Sequence, residues 1–224
     1  EVMGSKNLKA IAVKGAKAVP IAEETGFNQV AGRIGQIIGG NRRMAMLFKW
    51  GTAFHMDTGW QKGAVPTQNW RVGLWKDGCI NLGGKKMADT ILQPHESCLN
   101  CPVRCTRWVK IAGGKHKMEG AGPEYETLAA LGSLCLNDNL EAVCKADDLC
   151  KRYGLDTVSV GAVIAFAMEA RERGLLSEKA ADGLDLRWGN GDTIIELVER
   201  IGARKGLGEL LGQGVRAASA KVGA

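Results

Sequence analysis

Cys98, Cys101 and Cys105 fall within eight residues in the order Cys-x2-Cys-x3-Cys. Three thiols this close can converge on one inorganic centre. A solitary cysteine is by default a small buried hydrophobe, and that is the reading for Cys79, Cys135, Cys144 and Cys150. Structural zinc usually takes two separated pairs of ligands, or a pair plus histidines. Here one pair is followed by a single Cys, and no second pair exists. An iron–sulfur cubane takes one thiolate per iron, often three from a short loop and a fourth from far away. Ligand softness and spacing therefore favour a [4Fe-4S] cluster over zinc, with one iron left without a ligand.

Two further stretches carry candidate chemistry. Gly122-Pro123-Glu124-Tyr125-Glu126-Thr127 sets two carboxylates and a phenol at a helix start. A carboxylate beside a desolvated metal can relay protons during oxidation of a carbonyl. The plainer role for an acid in a first turn is to complement the helix dipole. Tyr153-Gly154-Leu155-Asp156-Thr157 uses a glycine stop to deliver an aspartate into an interhelix turn, where capping is the ordinary role. Gly4-Ser5-Lys6 invites a phosphate-loop reading, but the rest of that motif is absent. His116, between two lysines, reads as a solvated strand residue rather than a ligand.

The chain has 224 residues, 45% hydrophobic and 24% charged, enough for a substantial core in one or two domains. No apolar run approaches the roughly 20 residues of a membrane-spanning helix. The first residues show no basic segment followed by an apolar core, so no export signal is expected. The cysteines then read as reduced thiols or metal ligands in a cytoplasmic protein. A net charge of +6 is spread thinly, without a basic block or a nucleic-acid motif, so neither nucleic acid nor a membrane is expected as a partner.

These residues need elements to hold them. Residues 7–13 alternate toward a short strand, and Ala22 to Ile38 has helical spacing. Met44 to Trp50 reads as another turn or two of helix. Residues 51–83, rich in Gly, Trp and Asn, read as a long irregular segment pinned by tryptophans. Gly84 to Leu92 is a short helix leading into the cysteine loop. A hairpin follows, turning at Gly113-Gly114. The second half is helical: Glu124 to Leu134, Asn139 to Tyr153, an almost wholly apolar Thr157 to Ala170, a helix capped by Asp192, and a glycine-broken Leu207 to Val222.

Taken together, these stretches resemble the tungsten- and molybdenum-containing aldehyde ferredoxin oxidoreductases. The resemblance runs through Met3 to Val13, the Cys-x2-Cys-Pro-x2-Cys loop, Gly122 to Thr127 with Leu131-Gly132-Ser133, and Gly154-Leu155-Asp156-Thr157. It implies that Cys98, Cys101 and Cys105 hold a [4Fe-4S] cluster near a tungsten (or molybdenum) bis-pterin cofactor. It implies that Gly154, Leu155 and Asp156 contact one pterin, with Asp156 accepting from its amino groups; Gly4, Ser5 and Lys6 join them as cofactor-binding candidates. Glu126 matches a glutamate beside the metal that assists proton transfer, with Tyr125 adjacent and Glu124 the second choice. The family motif prefers Asp three residues before the pterin glycine, where this chain has Lys151.

The expected fold is mainly α: a multihelical domain with a short β-hairpin and an N-terminal strand left from a preceding β-rich domain. Residues 1–18 would end that pterin-binding domain, and 19–224 would form the helical iron–sulfur and pterin-contacting domain. Family enzymes are considerably longer. The resemblance therefore implies a middle part, with a fourth cluster cysteine, a second pterin aspartate and a catalytic histidine beyond Ala224. The implied partners are ferredoxin or an electron-transfer subunit, a small aldehyde, the remainder of the enzyme, and a second copy in a homo-oligomer. A ring-reducing aromatic thioester reductase of the same family is the alternative, with Cys135 of interest there. A stand-alone iron–sulfur carrier, drawing a fourth ligand from Cys79, Cys135, Cys144 or Cys150, is the alternative from another class.

Overall fold

The computed structural model describes residues 2–94 and 97–223. It divides between Ile38 and Gly39 into two compact units. The N-terminal unit holds a single turn, α1 (Val2–Ser5), and most of α2 (Glu24–Gly39), whose Phe27, Val30, Ile34 and Ile37 recur at helical spacing. The strand expected at residues 7–13 is not there: the segment has no regular secondary structure. A strand needs a neighbour to satisfy its backbone, and the two strands among the described residues pair with each other instead.

The second unit begins with α3 (Arg42–Trp50), capped by Asn41, whose carboxamide oxygen accepts from the N–H of Arg43 and of Met44 at 2.9 and 3.2 Å. The region expected to be irregular holds α4 (Phe54–Gly59), a 3-10 turn at Trp60–Lys62 and α5 (Lys76–Leu82). These helices are too short to display a period, and tertiary burial of Phe54, Met56, Cys79 and Leu82 stabilises them. Trp60 and Trp75 pack on the core as expected, whereas Trp70 is 75% exposed. After α6 (Gly84–Thr90) comes the hairpin β1 (Trp108–Ile111) and β2 (Met118–Ala121), paired from Trp108↔Ala121 to Ile111↔Met118.

The helical remainder is α7 (Tyr125–Leu131), α8 (Leu140–Tyr153), α9 (Thr157–Glu172), α10 (Gly191–Ala203), α11 (Leu207–Leu211) and α12 (Val215–Val222). A mainly helical fold with one hairpin is as the sequence predicts. The core gathers Leu128, Leu131, Val143, Ile164, Met168, Ile194 and Leu197 from α7 to α10, each fully buried. Burying each such side chain contributes on the order of 1.5–3 kcal/mol. Helix α9 touches α7 closely because residue 161 is glycine: a Cβ there would lie 2.5 Å from the Ala130 carbonyl.

Two expectations fail locally. Helix α10 is capped by Asn190, whose side chain accepts from the Thr193 N–H at 3.2 Å, not by Asp192. Asp192 lies in the first turn, and its carboxylate meets His116 Nε2 at 3.0 Å and Lys115. His116 is consequently 5% exposed rather than solvated. The flanking lysines carry the water-facing role while the imidazole turns inward to an acid that sequence spacing does not reveal.

Candidate functional site

The cysteine loop is clasped at its base. Leu92 bridges Val109, the Gln93 N–H donates to the Trp108 carbonyl at 2.8 Å, and the Lys110 N–H donates to the Ile91 carbonyl at 2.9 Å. Within the loop, Asn100 (φ 55°) and Arg104 (φ 51°) take left-handed backbone immediately before Cys101 and Cys105, so the chain winds tightly at two of its thiols. Cys98 is exposed, and Cys101 and Cys105 are half-buried. Backbone N–H groups of Arg104 and then Val103 point at the Cys101 sulfur and hold its thiol below the usual range. Burial pushes the Cys105 thiol up, and the nearby Glu124 carboxylate adds to that.

A buried guanidinium fixes this loop from beneath. Arg107 donates from Nε to the Cys105 carbonyl at 2.9 Å and from Nη2 to the Arg104 carbonyl at 2.7 Å. It also reaches the end of α3, donating to the carbonyls of Phe48 (3.0 Å) and Lys49 (3.2 Å). Gly51, at φ 64°, makes room for it: a Cβ there would lie 3.0 Å from Arg107 Nε and from the Cys105 carbonyl oxygen.

The start of α7 adjoins the loop. Glu124 occupies the N-cap position but makes no capping bond of its own. Thr52 caps from a distant segment: its hydroxyl accepts the Tyr125 N–H at 2.9 Å and donates to the Glu124 carboxylate. Tyr125 is half-buried and its hydroxyl donates to the Ala64 carbonyl at 3.4 Å; burial, then Glu126, pushes its phenol up. His55 sits edge-on to Tyr125, with ring centroids 5.5 Å apart. Burial, then Arg43, lowers its imidazole against the opposing pull of Glu126. Glu126 itself is exposed. Thr52, His55 and Arg107 were missed by sequence reading; only the cation two residues after Cys105 offered a signal, and the other two are brought in by the fold.

The third stretch is joined to the second. Gly154 (φ 68°) ends α8, and Asp156 caps α9, accepting from Ser159 N at 2.8 Å and Ser159 Oγ at 2.5 Å, which holds its carboxyl below the usual range. The hydroxyls of Thr127 and Thr157 then meet at 2.8 Å, which sets the Glu-Tyr-Glu-Thr turn beside the Gly-Leu-Asp-Thr turn. Leu155 and Asp156 line a small cleft of about 130 Å³ with Ser159, Ile201 and Gly212. Lys151 donates to the Ala121 carbonyl at 2.7 Å and to the buried Asp147 carboxylate at 2.6 Å, tying α8 to β2. Gly4, Ser5 and Lys6 belong to the N-terminal unit, where the Ser5 hydroxyl donates to the Val2 carbonyl at 2.8 Å.

Among the described residues no three His, Cys, Asp or Glu side chains converge as a metal-binding group. The donor chemistry of the loop nevertheless fits a thiolate-ligated cluster: three free thiols in one loop, none on a fully buried residue, N–H groups directed at Cys101, and the Arg107 guanidinium beneath. Cys79, Cys135, Cys144 and Cys150 are fully buried in the core, and burial pushes the Cys79 thiol up to about 11 and those of Cys135 and Cys150 to about 12. They pack as hydrophobes.

Residues 29–224 match the family model described as "Aldehyde ferredoxin oxidoreductase, domains 2 & 3". The chain belongs to the aldehyde ferredoxin oxidoreductase family. Family relatives include the tungsten-containing aldehyde ferredoxin oxidoreductases of Pyrococcus furiosus and Thermococcus kodakarensis, each 37% identical across 95% of this chain. The WOR-like subunit of an aliphatic sulfonate oxidoreductase from P. furiosus is 27% identical across 99% of the chain. The chain spans about a third (35%) of the length of these relatives. The same fold occurs in the active-site complex of a benzoyl coenzyme A reductase solved with 1,5-dienoyl-CoA, with a TM-score of 0.76 and 22% identity over 99% of this chain and 34% of that one.

Proposed function

We propose that this chain forms the helical, cluster-holding part of a tungsten (or molybdenum) bis-pterin enzyme that oxidises aldehydes to carboxylic acids and passes electrons to ferredoxin. In this reading residues 1–18 end a pterin-binding domain and 19–224 supply the cluster loop and pterin contacts. The observation that carries it is the adjacency of the Cys101–Cys105 loop to the acid-bearing start of α7: the Gly122 N–H donates to the Arg107 carbonyl at 2.9 Å, and Thr52, which engages Glu124, follows the Gly51 that packs on the Cys105 carbonyl.

Cys98, Cys101 and Cys105 would hold the [4Fe-4S] cluster, and Leu155 and Asp156 would hold the pterin. When bound, the metal–pterin and the cluster would supply the electron-transfer chemistry for oxidising the carbonyl carbon. Glu126, exposed and therefore in exchange with water, would accept one of the two protons that leave with the two electrons as hydrated aldehyde becomes acid, the other passing to water. Tyr125 stands beside it with a phenol that burial keeps protonated. Glu124, engaged by Thr52, supports the turn and is the second candidate for proton transfer. The fold shared with the benzoyl coenzyme A reductase complex fits the thioester-reductase alternative, but Cys135 takes no part in it: it is fully buried, its thiol facing the Ala130 and Gly161 carbonyls.

The test is metal analysis and turnover of the full-length enzyme purified without oxygen. Iron with tungsten or molybdenum, and aldehyde-dependent viologen reduction lost in Glu126→Gln, is the expected result. Zinc without iron, or turnover unaffected by that substitution, would overturn it.

A further inference from the structure

We propose that Arg107 is the fixed counter-charge of the cysteine-ligated centre, a positioning residue that raises its reduction potential. The inference rests on reading Cys98, Cys101 and Cys105 as cluster ligands.

A guanidinium stays charged at every accessible pH. Arg107 is 2% exposed, yet the partners its guanidinium meets are the neutral carbonyls of Phe48, Lys49, Arg104 and Cys105. No carboxylate among the described residues lies within ion-pair distance of it. A buried charge without a counter-ion is strongly unfavourable. Glu124, the acid at the start of α7, is already engaged by Thr52. Arg107 Nε and Nη2 are bonded to the carbonyls of Cys105 and Arg104, so a centre bound at Cys105 would bring its negative charge beside this cation.

The placement is rigid. Arg107 grips the loop on one side and the last turn of α3 on the other, and the left-handed Gly51 leaves space that a Cβ would close to 3.0 Å. A centre ligated by these cysteines gains one negative charge for each electron it accepts. A cation held at fixed distance in a poorly solvated site favours the reduced form over the oxidised one. A guanidinium acting only as a backbone clamp would not move the potential of an assembled cluster.

The experiment uses the full-length enzyme, with iron content and the midpoint potential of the cluster followed by electron paramagnetic resonance. Wild type is compared with Arg107→Met and Arg107→Lys. The expected result is a midpoint shifted to lower potential in R107M at full iron content, with R107K close to wild type. Should R107M lose its iron, R107K that keeps both iron and the wild-type midpoint supports the proposal. Full iron in R107M at the wild-type midpoint overturns it, as does an R107K that shifts or loses iron like R107M. Wild-type enzyme without iron overturns the cluster reading too, which distinguishes that failure from a failure of Arg107 alone.

Discussion

The hydroxyl oxygens of Thr127 and Thr157 lie 2.8 Å apart, joining the last residues of two motifs that are 30 positions apart in the chain. Each threonine follows an acid, Glu126 or Asp156, so the bond sets two functional turns at a fixed spacing. Replacing either by Val leaves the other hydroxyl without its partner and costs about 1 kcal/mol. The double variant T127V/T157V is expected to lose less than the sum of the two singles. Urea unfolding of all four proteins measures the coupling; strict additivity would mean that the bond contributes nothing.

Thr52 caps α7 across the fold, accepting the Tyr125 N–H and engaging Glu124. Thr52→Val is expected to destabilise by about 1 kcal/mol, the usual effect of losing a helix cap, whereas Thr52→Ser retains most of it. The denaturation midpoint should fall in the first variant with an unchanged denaturant slope. Equal midpoints for Val and Ser would show that the hydroxyl is idle.

Cys101 and Cys105 should titrate apart in iron-free protein. Backbone N–H groups lower the Cys101 thiol, and burial raises that of Cys105. Alkylation of Cys101 should therefore reach half-maximal rate at a lower pH than that of Cys105. Peptide mass spectrometry across a pH series reads both. In reconstituted protein, Cys101→Ala should abolish the visible absorption of the cluster, and an unchanged spectrum would refute its assignment as a ligand.

Asp192 links α10 to the hairpin loop through Lys115 and His116. Lys115 first and then His116 hold its carboxyl below the ordinary aspartate value. A carboxyl with a lowered folded-state value binds fewer protons folded than unfolded, so it stabilises the fold at neutral pH. That contribution is lost as pH falls from about 3.9 through the lowered value. Asp192 is 57% exposed, which limits the effect to about 1 kcal/mol. Asp192→Asn should unfold more easily than wild type at pH 6, with the difference vanishing toward pH 2. A difference independent of pH would exclude the ion-pair account.

Much of this protein is written in local pattern. The apolar periodicity of α8 and α10 reflects which side must face a core, the all-round apolarity of α9 marks a buried helix, and both patterns survive without knowledge of partners. The Gly154 stop and the Asp156 cap are equally local, since both act on backbone groups within a turn. The cysteine spacing, too, is readable because a chelating loop must draw its donors from close along the chain.

What the sequence left open depended on contacts between distant segments. Thr52 reaches Glu124 across 72 positions and Arg107 reaches Phe48 across 59, and no periodicity encodes either. His116 was misread because its acid, Asp192, lies 76 positions away. The residue types alone thus determined a helical chain carrying thiols, acids and a glycine-stopped turn. Only the tertiary structure decided which thiols stay accessible, which cation lies beneath them and which acids stand beside them. Burial and charge proximity act through space, and the chain order does not record them.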